Sequence, residues 1–218
     1  MKKIIGSVMI ICTGLCFKPS FDAGAADVKK QIILQKPQMF GGKPLMQALR
    51  DRRSGRSFSS RRLPDRVLSN LLWAAFGVNR PSSGKRTAPS ALNRQEIDVY
   101  LAVPEGLYLY DAKKHTLELV IAEDIRALAG KQDFVKDAPL NLIYVADLAK
   151  MEGGSEADKL LYSGIDAGHI SQNVYLYCAS EGLSTVVRAY IDYNTLAEAM
   201  KLKKSQRIIV AQTVGYPK

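Results

Sequence analysis

Apolar residues fall on alternate positions at Ile97, Val99, Leu101 and Val103. That period of two is the pattern of a strand with one face in a core. Pro104-Glu105-Gly106 marks a turn, and Leu107 to Tyr110 reads as the returning hairpin strand. Leu117 to Ile121 predicts another short strand. Leu140 to Ala146 is apolar without a break, as expected of a strand buried on both faces. Thr185 to Ile191 is rich in strand formers, and Arg207 to Val214 reads as a last strand.

Elsewhere the spacing is helical. Val67, Leu68, Leu71, Leu72, Ala75 and Phe76 make one face of a helix over Leu63–Gly77, opened by Pro64 and Asp65 and closed by Gly77. Ala167, Ile170, Val174, Tyr177 and Cys178 share a face of the longest helix, Ser163 to Glu181, which Gly182 ends. Shorter helices are predicted at Leu45–Leu49 after Pro44, at roughly Asp124–Ala129, and from an Asn194 cap to about Lys203. Residues 27–43, with Pro37 and Gly41-Gly42, read as an N-terminal arm, and residues 78–95 as loop. Strands and helices interleave, and the hairpin argues against a purely parallel sheet. The expectation is one α+β domain over residues 44–218, with a mixed or antiparallel sheet flanked by helices.

The first 26 residues follow another pattern. Lys2 and Lys3 precede an apolar run from Ile4 to Phe17, and Ala23-Gly24-Ala25-Ala26 supplies small residues. This is the layout of a secretory signal peptide over residues 1–26. The run is short for a membrane span of about 20 residues. A retained N-terminal anchor is the alternative. A lipid anchor fits less well, because Cys12 follows Ile11 and Cys16 follows Leu15, where a small residue is wanted. Export to the periplasm or beyond, without a stable span after cleavage, is the expectation.

The formal charge is +10 over 218 residues. Residues 1–25 carry Lys2, Lys3, Lys18 and Asp22, a net +2, so the remainder keeps +8. A basic surface suits nucleic acid or anionic lipid, but export argues against nucleic acid and no aromatic-basic motif accompanies the charge. After cleavage Cys178 is the lone cysteine, so no internal disulfide can form. Its apolar helical setting marks it as a small buried hydrophobe rather than a nucleophile.

Familiar catalytic signatures are missing: there is no P-loop, G-x-G-x-x-G, G-x-S-x-G or H-E-x-x-H. His115 and His169 are the only histidines, which leaves a His-rich metal site or a Ser-His-Asp triad poorly supported. An enzyme built on this sequence needs a bound cofactor for its chemistry. Three segments bear on that. Arg52-Arg53-Ser54-Gly55-Arg56 can hold a phosphate through guanidinium groups and a hydroxyl, or can be a solvated basic loop. Pro89-Ser90-Ala91-Leu92-Asn93-Arg94-Gln95 places Ser90, Asn93 and Gln95 where they suit a neutral heteroaromatic edge; alone it is a polar loop. The long helix leads through Leu183 to Val187-Arg188-Ala189-Tyr190, which alone is a helix packed on a strand.

In this order the segments resemble the FMN-dependent nitroreductase family, near its thiazoline-oxidase-type dehydrogenase branch. Arg52-Arg53-Ser54-x-Arg56-x-Phe58 matches the family's R-x-S-x-[RK]-x-F, and Pro89-Ser90-Ala91-x-Asn93-x-Gln95 its P-S-x-x-N-x-Q. Gln132-x-Phe134 with Asp137-Ala138-Pro139, then Gly168 to Asn173 with Glu181-Gly182-Leu183, and finally Val214-Gly215-Tyr216-Pro217 continue the match to the end of the chain. The resemblance implies the nitroreductase fold as an intertwined homodimer with two interfacial FMN sites. It assigns Arg52, Arg53, Ser54 and Arg56 to the phosphate and ribityl chain, and Pro89, Ser90, Ala91 and Asn93 to the flavin ring of the other subunit. The Ala189 N–H would face flavin N5, and Lys218 stands where a second phosphate-binding cation is common. The implied reaction is ping-pong hydride transfer from a small-molecule donor through FMN to a nitroaromatic or quinone acceptor. The same fold run oxidatively, or a non-catalytic flavin-binding protein, are the alternatives. Two features depart from the pattern. Ala189 replaces a common Gly beside Arg188, and the basic tail after V-G-Y-P is short. Arg188 can contact an anionic substrate or be paired internally, and His169 is most simply structural.

Overall fold

The computed structural model of the chain describes residues 28–218, so the signal-peptide reading lies outside the described residues. The alternating segments form one seven-stranded sheet: β1 (Gln31–Ile33), β4 (Ile97–Val103), β5 (Gly106–Asp111), β6 (Thr116–Ile121), β7 (Leu140–Asp147), β8 (Ser184–Arg188) and β9 (Gln206–Gly215). Their spatial order is β1-β6-β5-β4-β7-β9-β8, and each described pairing is antiparallel. Five helices accompany the sheet: α1 (Leu45–Asp51), α2 (Asp65–Phe76), α3 (Phe134–Asp137), α4 (Glu156–Glu181) and α5 (Tyr193–Ala199). A small hairpin, β2 (Val78–Arg80) with β3 (Lys85–Arg86), stands apart from the sheet.

The period of two explains how the layers pack. On β4, Val99 and Leu101 join α2 and α4 in one core, while Tyr100 and Ala102 enter a second core on the opposite face. On β7, Leu142 and Tyr144 face the first core, and Ile143 and Val145 the second. Because both faces are covered, β7 must be apolar at successive positions although its neighbours run antiparallel. The first core takes Leu71, Leu72, Ala75 and Phe76 from α2 and Ala167, Ile170, Val174 and Cys178 from α4. Burying each large aliphatic contributes about 1.5–3 kcal/mol. Cys178 is fully buried and its thiol is pushed up by desolvation, in keeping with a packing role.

Several boundaries differ from the sequence expectation; the Asp124–Ala129 helix is a 3-10 turn over Arg126–Ala129, and the Thr185–Ile191 strand ends at Arg188. The N-terminal arm contains β1, which pairs with β6 as an edge strand. Residues 78–95 contain the β2–β3 hairpin and a 3-10 turn, Ala91–Asn93. The long helix begins at Glu156 instead of Ser163, because Ser155 and Asp158 form a reciprocal capping box. Finally, α5 is capped by Asp192, which accepts from the Thr195 N–H, and not by Asn194. At the other end of α4, Gly182 takes φ 70° and turns the chain into β8.

The arm is pinned by a polar knot. Tyr110 donates its hydroxyl to His115 Nδ1 at 2.8 Å, and His115 Nε2 lies 2.8 Å from Ser69 Oγ and 3.1 Å from the Gln35 carbonyl. The Gln35 carbonyl can only accept, so Nε2 carries a proton, and burial holds His115 below the usual histidine range.

Candidate active site

The arginine segment leaves α1 and crosses β8. The Gly55 N–H donates to the Thr185 carbonyl at 3.0 Å, and a Cβ at Gly55 would run into the Ser184 side chain. Glycine is required there by that close approach. Ser54 Oγ lies 2.8 Å from the Tyr175 hydroxyl, which accepts from the Val187 N–H at 3.0 Å. The Tyr175 proton is therefore free to go to Ser54, and the Arg52 guanidinium sits 5.4 Å above the Tyr175 ring. Tyr175, on α4, thus ties the segment to both helix and strand. Sequence reasoning missed it, because nothing in the pattern separates it from a helix-face aromatic.

These residues border a cavity of about 450 Å³ lined by Arg52, Arg53, Gly55, Tyr175, Ser184 and Pro217, among others. At its edge Asp51 accepts from Lys43 at 2.8 Å and Arg50 at 3.1 Å. Both cations hold its carboxyl below the usual range. Arg52, Arg53 and Arg56 make no ion pair among the described residues. Lys218 is exposed, directly after Pro217. The cavity's donors therefore suit a phosphate: guanidinium groups, a hydroxyl and little competing negative charge.

The second segment is built differently. Leu92, Asn93 and Gln95 all hold left-handed backbone, with φ of 53°, 55° and 50°. Such residues are rare outside glycine and persist only where the surroundings enforce them. Here the enforcing bonds are Ala91 N–H to Asp166 Oδ2 at 2.9 Å, Gln95 N–H to Ser90 Oγ at 3.0 Å, and Asn93 N–H to the Ser90 carbonyl at 2.9 Å. Gln95 is spent inside the loop, accepting from Arg86 Nε at 2.8 Å and donating to the Gly84 carbonyl and to Asn93 Oδ1. The expectation that it faces a ligand is corrected accordingly. Pro89 and Asn93 are exposed, Ser90 and Ala91 half-buried, and Leu92 stands 84 % exposed at the tip.

Beneath the loop lies an acid pair. Glu96 and Asp166 are both buried, and neither Glu96 oxygen has a donor. Burial first, then the adjacent Asp166 charge, raises the Glu96 carboxyl. Asp166 Oδ2 meanwhile accepts from the Ala91 N–H. His169 lies 3.8 Å from Asp166 and is half exposed.

The third segment places Ala189 one residue beyond the β8–β9 ladder, exposed. The turn is fixed from outside: Lys131 N–H donates to the Tyr190 carbonyl at 3.0 Å, and the Tyr193 hydroxyl to the Ala189 carbonyl at 3.1 Å. Arg188, weighed as a substrate contact, is buried and paired internally, because its position on β8 turns the side chain inward. Its guanidinium donates to Asn141 Oδ1 at 2.7 Å, to Thr213 Oγ1 and to the Ala129 carbonyl.

The arginine segment and the Ala189 turn therefore share β8, while the Pro89–Gln95 loop is anchored elsewhere. Asp166 and Tyr175 lie nine residues apart on α4, about 14 Å at 1.5 Å per residue. A single chain brings together two of the three segments.

The sequence and structure were compared with known proteins. The family model described as the nitroreductase family matches residues 49–216. A nitroreductase-like protein of Methanocaldococcus jannaschii is 35% identical over 164 residues, covering 70% of this chain and 82% of that one. A solved nitroreductase-like structure from Ralstonia eutropha is 44% identical with a TM-score of 0.85, covering 88% of this chain and 92% of that one. One from Anabaena variabilis is 22% identical with a TM-score of 0.72. It covers 86% of this chain but only 42% of that longer one, a likeness of fold alone.

Proposed function

The chain belongs to the nitroreductase family and is an oxidoreductase of that family, and on that premise we propose that it binds FMN in the cavity beside β8 and works as a homodimer. The observation that carries the FMN reading is Arg52 and Arg53 in the cavity at one end of β8, without an ion pair among the described residues, with the exposed Ala189 turn at the other end. Arg52, Arg53, Ser54, Arg56 and Lys218 would hold the phosphate and ribityl chain, and Gly55 lets them lie flat against β8. The Ala189 N–H would meet the ring's N5. When bound, FMN accepts a hydride and passes two electrons to an acceptor. The protein's own part is to place substrate over the ring and to keep the ring fixed, without a side-chain nucleophile.

Pro89, Ser90, Ala91 and Asn93 would touch the ring of the second subunit. The loop's anchor, Asp166, lies about 14 Å from Tyr175 along α4, and exposed apolar residues precede it in the helix. Leu161, Tyr162 and Ile165 on α4 are 62 %, 45 % and 47 % exposed. Residues of this size left open together suit a second copy. Among the described residues no helix is long and apolar enough to cross a membrane. The N-terminal pattern supports export with cleavage near Ala25 or Ala26, so a mature chain starting near Ala26 or Asp27 is expected by intact mass. Export removes the chain from the cytoplasmic NAD(P)H pool, so NADH and NADPH reduce the flavin slowly, and quinones or nitroaromatics reoxidise it.

The test is binding. Protein stripped of small molecules should take up FMN in preference to FAD, with one flavin per chain. Protein that ignores both flavins would refute the reading.

A further inference from the structure

Arg188 is 7 % exposed, and every described partner of its guanidinium is neutral. Nε and Nη2 donate to Thr213 Oγ1 at 3.2 and 2.9 Å, Nη2 also donates to Asn141 Oδ1, and Nη1 donates to the Ala129 carbonyl. The acceptors are themselves consumed: the Thr213 hydroxyl donates to Asn141 Oδ1 at 2.6 Å, and the Asn141 amide to the Val135 carbonyl at 3.0 Å. The network closes as hydrogen bonds but not as charge. No carboxylate among the described residues pairs with Arg188. Burial alone lowers the guanidinium's pKa to about 10, so it stays charged at neutral pH. A buried cation without an anion is costly, and Gly130 is needed to admit it, since a Cβ there would strike the guanidinium.

A methionine or leucine would fill this place at less electrostatic cost. The charge sits on the residue directly before Ala189. Resting on the FMN reading above, we propose that Arg188 is a redox-tuning residue whose buried, counter-ion-free charge favours the anionic reduced flavin over the neutral oxidised one. Two electrons and one proton convert the neutral ring to a monoanion, and the field of Arg188 is complementary to that anion alone. A cation within about 10 Å through a protein-like dielectric shifts such an equilibrium by roughly tenfold. The same side chain, with Lys131 N–H on the Tyr190 carbonyl, braces the turn, so charge and scaffolding must be separated by experiment.

The FMN-loaded protein is titrated anaerobically for its midpoint potential, and its affinity for oxidised FMN is measured separately. Arg188→Met removes the charge. Asn141→Asp leaves Arg188 in place and supplies the missing carboxylate, so it carries the test if Arg188→Met does not fold. Arg188→Lys keeps the charge and loses the planar fork. The inference requires Arg188→Met and Asn141→Asp to lower the preference for reduced flavin about tenfold, a negative shift of ~30 mV for a two-electron couple, with Arg188→Lys close to wild type. Potentials unchanged in Arg188→Met and Asn141→Asp, or shifted equally in all three variants, would make Arg188 a strut and overturn the inference. Wild-type protein that binds no FMN would instead overturn the functional reading, and this inference with it.

Discussion

Two stretches of α4 hold the two candidate segments by opposite means. Toward the C-terminal end, Tyr175 locks Ser54 and β8 together, and Arg52 and Arg53 beside the cavity make no ion pair among the described residues. Near the middle of α4, at Asp166, the Pro89–Gln95 loop holds three left-handed residues over a buried acid pair, with Leu92 outside. In the proposed reading the first would hold an anion within one chain. The second is strained, with an exposed leucine at its tip, and in that reading would lie against a second copy. In the proposed homodimer, a site divided this way would make ligand binding and association one event, because what binds only the dimer also stabilises it.

Breaking the association should do the most damage. Leu161→Lys with Ile165→Lys places charge on the open face of α4. Each loses about 1.5–3 kcal/mol of burial per subunit, so dimerisation and FMN retention should fall together, by a hundredfold or more. Sedimentation and flavin release measured on the same sample check this. A monomeric variant with unchanged FMN affinity would separate the two stretches. Next comes Arg52→Ala, which removes a charge-assisted hydrogen bond worth about 1.5–3 kcal/mol. FMN affinity should drop some ten- to a hundredfold by titration calorimetry, while the apoprotein's melting temperature stays put. An equal loss of apoprotein stability would mark Arg52 as a packing residue over Tyr175.

The acid pair sharpens the comparison through pH. The Glu96 pKa is raised in the folded chain, so its contribution is fully present below its unfolded value of 4.5 and is lost as pH rises through the folded value. Glu96→Gln keeps a donor for Asp166 and should flatten the fall in melting temperature toward alkaline pH. An unaltered pH profile would show that the pair does not share a proton. The smallest effect is expected at the arm. The His115 pKa is lowered in the folded chain, so stability is present above 6.5 and declines as pH falls through that value, when the unfolded chain gains the proton first. His115→Gln should reduce this acid-side slope and loosen β1 in hydrogen exchange.

Much of the sheet was legible because alternation reports faces directly. Val99 against Tyr100, and Leu142 against Ile143, separate into two cores as a period of two requires. The start of α4 was not, because Leu161, Tyr162 and Ile165 are apolar yet point away from the core, which blurs a helical face. The arginine segment and the P-S-x-x-N-x-Q segment stood out through their resemblance to the family's motifs, but not how each is held. Gln95 was read as a ligand contact because its alternative partners, Arg86 and Gly84, meet it only through the β2–β3 hairpin. Arg188 hides better still. Its acceptors lie 59, 47 and 25 residues away in sequence, and only the assembled sheet brings them round the guanidinium.

Sedimentation of the mature protein with added FMN, followed at the flavin's visible absorbance, tests the divided site most directly. The account predicts that FMN absorbance moves with the dimer at one flavin per chain, and that no flavin moves with monomer as the protein is diluted. Flavin travelling with the monomer at full occupancy would contradict it.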